Sequence, residues 1–508
     1  MPAATTTEPH DSDNGTGNPY NLPCRFAPGP ATLQQTHDHM KPWLLLLALL
    51  TGTAALAQTD STAAPLFTAE EVRSDLDSLY SALRENHPDL YAHWPKPDAD
   101  AAFAALRAGV TTPQRRTSLY RLIMPFIARF RDGHTFLDVD FDSPELARYE
   151  ASGGRYFPLR VRIINGRVYS RDTLAGTRTL YPGDELLHIN GRPAGSIAKE
   201  LIDGWPADGP EYARVSVERL FGYVLWLMYG WGNDTRLLVQ QGSKKNTVVV
   251  PGVSREAMLA GLFHKGVNCS MQLQPDLSLA VVTINAYKEV QKTKAFIDSC
   301  FRVIRTEGIR HVALDLRRNG GGNSAIGAYF IAHLSRTPYS VVRSKSWRLG
   351  PLVTALPEQH WMRASIRNNE QTYNRSGQYL HSPAFASEAP APLPDTTLFV
   401  PSRFYLLTST VTYSSAHMTA LAVKCGGLGT IIGQPTGERL DLTGEILEYT
   451  LPATKLKIVI PAAMYRTACG NGADVGVQPD VPVPLRIADL RAGRDAELEA
   501  LRELLRRQ

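Results

Sequence analysis

The sequence predicts an α/β protein in three parts: a helical unit, a β-rich unit and a larger core in which strands and helices alternate. Three observations carry this. A capping box at Thr68-Ala-Glu-Glu71 opens a stretch with apolar residues at helical spacing. Short alternating runs split by Asn165-Gly166 follow. From about residue 268, buried-strand runs then alternate with amphipathic helices.

In the first part, Val72, Leu76, Leu79, Tyr80 and Leu83 share one helical face, and His87-Pro88 ends it. Helical patterns return at about 101–108 and 118–130 and close on Asp132-Gly133-His134-Thr135. The helical domain is placed at 58–150. In the second part, placed at 151–250, Leu159–Ile163 and Val168-Tyr169 flank the Asn-Gly turn of a hairpin. In the third, placed at 268–490, Leu279–Ile284 and Val312–Leu316 read as strands, with a helical face of Phe296, Ile297, Cys300, Phe301 and Ile304 between them. Phe404–Leu407, a helix to about Lys424 and Gly429–Gly433 form a strand, helix, strand unit. An amphipathic helix over 491–508, beginning near Ile487, is expected to dock on the core. The segment from Pro338 to Asp395, with Trp347, Trp361, Tyr373 and Tyr379, departs from this pattern and is expected to act as a lid or substrate wall.

The chain of 508 residues carries a net charge of only +5, with its basic residues scattered and no nucleic-acid motif, so nucleic acid is discounted as a partner. Met40-Lys41, an apolar run and Ala55-Leu-Ala57 have the layout of a signal peptide over 40–57, cleaved before Gln58. The run is shorter than the roughly 20 apolar residues a bilayer needs, so membrane contact is expected only through this transient segment. Residues 1–39 are expected to come from a mis-called start and to be disordered, and are set aside. Export would place the protein in the periplasm or outside the cell, where Cys269, Cys300, Cys425 and Cys469 could pair in three ways. None has zinc spacing, and no metal or cofactor is expected.

The chemistry concentrates in two stretches. Asp315-Leu-Arg-Arg-Asn-Gly-Gly-Gly-Asn323 follows a strand and precedes a helix, where glycines let backbone N–H groups face an anion. A phosphate loop would need Lys-Ser/Thr after the glycines, which is missing, so an oxyanion hole is the better reading. It requires a nucleophile. Thr408-Ser-Thr-Val-Thr-Tyr-Ser-Ser-Ala-His417 offers one in a comparable strand-to-helix position.

These two stretches, with Gly433-Gln-Pro-Thr-Gly-Glu-Arg439 and Gly476-Val-Gln-Pro-Asp-Val481, resemble the C-terminal-processing (tail-specific) serine peptidases, most nearly the interphotoreceptor retinoid-binding-like and tricorn-core members. Tyr181-Pro-Gly-Asp-Glu-Leu-Leu-His-Ile-Asn-Gly-Arg-Pro193 resembles a peptide-binding PDZ segment. The resemblance implies an α/β core of the crotonase-like (ClpP/crotonase) type, an N-terminal helical unit and a PDZ-like insert. It makes Ser414 the nucleophile, with oxyanion donors from Ser415 and from Gly320 or Gly321.

The base departs from the bacterial pattern. Arg439 stands where such enzymes carry lysine, and a guanidinium cannot accept a proton at any working pH. Lys455 and Lys457 read as solvated. The tricorn-like alternative is a histidine from the helical unit, here His134, whose imidazole suits proton transfer near neutrality. His417 is a poorer base, because helical side chains do not easily wrap around the helix end. His87 reads as structural. The acid orienting His134 falls by resemblance on Asp474, with Asp132 second, although an Asp-Gly aspartate equally forms a turn. The expected function is an exported serine endopeptidase acting on peptides or unfolded segments. The alternative is a binding protein on the same fold with weak or lost catalysis.

Overall fold

The computed structural model describes residues 21–23, 66–139, 143–173, 180–260, 267–470 and 474–508. The proposed signal segment lies outside them. The capping box forms as the sequence requires: Thr68 Oγ1 accepts from Glu71 N–H, Glu71 caps the Thr68 amide, and the helix Ala69–Asn86 follows. Helices Lys96–Ala108 and Arg116–Ala128 pack against it through Tyr80, Phe103, Trp94, Phe126 and Phe130.

The middle unit is a strongly twisted hairpin extended into a sheet. Asn165 and Gly166 both take positive φ (50° and 74°), the conformation a two-residue hairpin turn demands, and join strands Leu159–Ile164 and Arg167–Thr173. Glu185–Ile189, Thr235–Gln241 and Lys244–Val250 complete five antiparallel strands in a row, with Arg192–Pro193 as a short addition. Helices Ala194–Asp203 and Pro210–Tyr229 cover one face; Phe221, Val224 and Leu225 of the second are buried there.

The core sheet runs in the order Cys269–Gln274, Leu279–Ile284, His311–Asp315, Arg403–Thr408, Thr430–Gly433, Val481–Pro482. The last five are mutually parallel and the first is antiparallel to its neighbour. The edge receives Asn21–Pro23, so part of the upstream segment set aside above pairs with the core. Parallel strands must be covered on both faces, which is why their residues read as unbroken apolar runs. On one face lie Val290–Thr306, Ala325–Ala332 and Ser415–Gly426; on the other Leu501 and Leu505 of the C-terminal helix meet Val281, Ala313, Tyr405 and Ile432. The single C-terminal helix expected from the periodicity is broken in two, Ile487–Ala492 and Ala496–Arg506. Gly493 turns left-handed (φ 61°) and Asp495 caps the second helix.

The departing segment is no loose lid. Its strand Val342–Arg348 pairs with Lys457–Thr467, which also pairs with Leu442–Thr450 and with Phe136–Leu137 of the helical unit. Trp347, Val353, Met362 and Ile366 pack on Leu447 and Ala462 as a separate small core. That second sheet brings the helical unit to the core.

Cys425 and Cys469 form a disulfide, and Cys269 and Cys300 are buried in the core. Joining cysteines 44 positions apart, the cross-link removes chain entropy worth about 4 kcal/mol from the unfolded state. The double variant Cys425→Ser/Cys469→Ser should lose up to about 4 kcal/mol in urea unfolding under non-reducing conditions. Wild-type protein in reductant should match it, and unchanged midpoints in both would show that no bridge forms.

Candidate active site

Both chemical stretches begin at the carboxyl ends of adjacent parallel strands, where open α/β sheets place their ligands. The hydroxyls of the Thr408–Ser415 stretch shape it. Thr412 Oγ1 donates to Leu316 O (2.8 Å), Ser409 Oγ to Arg317 O (2.6 Å) and Thr408 Oγ1 to Gln434 O (2.8 Å). Each ties the turn to a neighbouring strand end. The turn delivers Ser414 to the N-terminus of Ser415–Gly426 in a left-handed conformation (φ 51°, ψ −128°). A non-glycine residue held so costs about 1–3 kcal/mol, and such strain persists only where the surroundings impose it. Ser414 makes no side-chain cap to its helix, so the capping explanation for this serine fails.

The glycine loop lies against the serine. Fully buried Asn319 holds it: Nδ2 donates to Ile284 O (2.9 Å), Oδ1 accepts from Gly321 N (2.8 Å), and its carbonyl accepts from Tyr413 N (3.2 Å). Gly321 has φ 109°, and a Cβ there would stand 2.7 Å from Ser414 Cβ, so only glycine fits. These bonds sort the predicted donors. The Gly321 amide is taken by Asn319 and is not an oxyanion donor. The Gly320 and Ser415 amides donate to no acceptor among the described residues.

His134 arrives from the helical unit on a buried turn. Asp132 Oδ1 accepts from His134 N (2.8 Å), and Asp132 Oδ2 binds His87 Nε2 (2.5 Å). Asp132 is therefore the turn-former and not the acid on the ring, and His87 anchors it. Burial alone would raise the Asp132 carboxyl, but His87 and His134 hold it below the usual range.

The acid beside the His134 ring is Glu438, and not Asp474 or Asp132 as the sequence suggests. Glu438 Oε2 accepts the Ser414 amide (2.6 Å), and Oε1, buried and without a hydrogen bond, lies 3.3 Å from His134 Nδ1. Thr443 Oγ1 is 3.5 Å from the same nitrogen. Burial lowers His134, against the pull of the Asp132 and Glu445 carboxylates. Burial and the nearby Asp208 push Glu438 well above the usual range, against the Ser414 N–H.

Asp474 is elsewhere. Its carboxylate pairs with Arg131 (2.7 Å) and Arg439, both pulled to it by charge at a half-open surface, so it does not orient His134. Arg439 also donates to the carbonyls of Arg131 and Asp208, clamping the segment before His134. His417 is fully buried, with Nδ1 2.8 Å from Thr436 Oγ1, and burial drives it down to about 3. It is part of the core. Lys455 and Lys457 are exposed, as read. Lys345 is half-buried, bonded to Glu445 and set over the Trp347 ring at 3.8 Å. Asp480 of the last motif accepts from Ile431 N (2.8 Å) and pairs with Lys424 (2.5 Å), a structural duty. Among the described residues no cluster could hold a metal ion, and no helix is long and apolar enough to cross a membrane.

A glutamate was legible at 438, since it follows a Pro-Thr-Gly turn at a strand end beside the position where a base was sought. Nothing in the sequence flagged Asp208 or Tyr212, which reach the site from the middle unit.

The sign of the Glu438 effect on stability is definite. A carboxyl raised in the fold stabilises it when protonated; that contribution is complete below about pH 4.5 and is lost as pH rises through the raised value. Glutamine mimics the neutral acid and keeps an acceptor for Ser414 N–H. Glu438→Gln should therefore gain in melting temperature over wild type between pH 5 and pH 9, and parallel curves would show that burial does not perturb this group.

Known proteins share the core domain and the fold. Residues 278–483 match the model of Peptidase family S41. Among solved structures, mature CPAF complexed with lactacystin aligns at 14% identity and TM-score 0.62, covering 86% of this chain and 98% of that one. A serine-to-alanine mutant of CPAF aligns at 14% identity and TM-score 0.65, covering 86% and 96%. At that identity the likeness speaks for the fold. No curated protein sequence matches the chain. The chain carries a peptidase family S41 domain and is a serine-type peptidase.

Proposed function

We propose that the protein is an exported endopeptidase of the tail-specific kind, cleaving peptides or unfolded segments through an acyl-enzyme on Ser414. One observation carries the reading: Glu438 spans the Ser414 amide and the His134 ring at a strained serine set against a glycine loop. Ser414 Oγ attacks the peptide carbonyl while His134 Nε2 takes its proton. Glu438, on Nδ1, fixes the tautomer and supports the imidazolium that forms. The Gly320 and Ser415 amides hold the oxyanion. Collapse expels the amine, which receives the proton from His134, and water then releases the acyl group by the same steps reversed.

The finer structural readings belong here too. The parallel sheet with Ser415–Gly426 suits a crotonase-like core. The middle sheet suits a PDZ-like module, and its largely exposed edge strand Lys244–Val250 offers backbone groups to an extended peptide. The Met40–Ala57 segment and the disulfide support export. One observation favours the rival reading of a weak enzyme: neither Ser414 Oγ nor His134 Nε2 makes a hydrogen bond among the described residues. Such bonds are often long before substrate binds.

A fluorophosphonate separates the two. It should label Ser414, identified by mass spectrometry, and labelling should vanish in Ser414→Ala and fall by roughly 100-fold or more in His134→Ala and Glu438→Gln. A folded protein left unlabelled from pH 6 to pH 9 would leave the binding reading. Because Glu438 supports the imidazolium only when ionised, and its carboxyl is raised, the labelling rate should rise with pH as that carboxyl ionises. A flat profile would contradict that role.

A further inference from the structure

Asp208 is a buried carboxylate that the mechanism above does not use. It sits in the short link between Ala194–Asp203 and Pro210–Tyr229, in the middle unit, yet its side chain ends in the catalytic centre. Tyr413 donates its phenolic proton to Asp208 Oδ2. Tyr413 is the residue before the nucleophile. Its ring stacks on Tyr212 of the same middle-unit helix, with centroids 4.1 Å apart and planes at 14°, and its other neighbour is the His134 ring at 5.1 Å. Gly133, the residue before His134, is held against the same pair: a Cβ there would stand 2.8 Å from Asp208 Oδ2 and would overlap the Tyr413 hydroxyl. Arg439, the residue after Glu438, donates to the Asp208 carbonyl at 2.8 Å, and its Nη1 lies 3.8 Å from Asp208 Oδ1. One carboxylate thus touches the chain neighbours of all three proposed catalytic groups.

We propose that Asp208 is a positioning residue: through Tyr413 and Arg439 it fixes Ser414, His134 and Glu438 relative to one another, so that the middle unit completes the catalytic geometry. The inference rests on the peptidase reading of Ser414. A buried carboxylate without a partner would be expelled or neutralised, so its retention here requires the Tyr413 hydroxyl and the Arg439 guanidinium. Tyr413 is held too firmly to rotate. With Asn319 binding its amide and Asp208 its hydroxyl, the residue is fixed at both ends, and the left-handed turn at Ser414 has no slack to relax.

The electrostatics give a signature that mere packing would not. The groups facing Asp208 are Asp132 and Gly133 on the histidine turn, Arg439 and Glu438 on the strand-end loop, Tyr413 on the serine turn and Tyr212 on its own helix. Burial first, then repulsion from Asp132, pushes Asp208 up to about 7 against the pull of Arg439. Its charge in turn helps to raise Glu438. Removing the charge should move the pH dependence of the Glu438 step to lower pH.

The experiment compares fluorophosphonate labelling of Ser414 in wild type, Asp208→Asn, Tyr413→Phe and the double variant across pH 6 to 9. Each single variant should be labelled roughly 10- to 100-fold more slowly, the size of effect that a small misplacement of reacting groups produces. The double variant should be no slower than the worse single one, since both remove the same brace. Asp208→Asn should also begin its rise at lower pH than wild type. Rates within twofold of wild type, strictly additive effects or an unshifted profile in folded protein would overturn the proposal. Tyr413→Phe keeps the stacked ring and decides the matter alone if Asp208→Asn does not fold. Failure of the wild type to label at Ser414 would instead bring down the peptidase mechanism, so the two failures are distinguishable.

Discussion

The carboxyl group of Glu438 is the junction on which the site depends. It takes the Ser414 amide on one oxygen and faces His134 on the other, and so holds together residues that are 280 positions apart in sequence (414 − 134). A carboxyl that is 1% exposed is tolerable only because each oxygen has a polar group to face. The strain at Ser414, the turn at Asp132 and the glycine loop all point the backbone toward that one buried group.

What surrounds the junction is paid for by the fold. Asn319 ties the glycine loop to both the neighbouring strand and Tyr413, the residue before Ser414. The sheet formed by Val342–Arg348, Leu442–Thr450 and Lys457–Thr467 receives Phe136–Leu137, directly after the histidine turn, and so sets where His134 arrives. Arg439 is the instructive case. An arginine cannot serve as a base, but its long planar group reaches two carbonyls and a carboxylate that a shorter cation would not bridge together.

The parts of the proposed site come from different folding units. The histidine belongs to the helical unit, the serine and its glutamate to the parallel core, and Asp208 and Tyr212 to the middle sheet's helices. A site assembled in this way is complete only when all three pack together.

The sequence alone determined the local features, because these depend on neighbours in the chain. The capping box at Thr68, the Asn165-Gly166 hairpin, the apolar parallel strands and the choice of the stretch around Ser414 all follow from propensity and spacing. So do the exclusion of Arg439 as a base, a matter of side-chain chemistry, and the case against His417, a matter of helix geometry; His134 itself came from the family resemblance. Only the tertiary structure decided the acid. Asp474 and Glu438 are both carboxylates near the end of a motif, and what separates them is which one is buried against the imidazole and which is drawn to Arg131 and Arg439 at the surface. The same holds for Gly321, whose amide turned out to be spoken for by Asn319, and for Asp208, whose partners lie on three other segments. Hydrogen-bond partners of this kind are set by packing across the fold, and no local pattern encodes them.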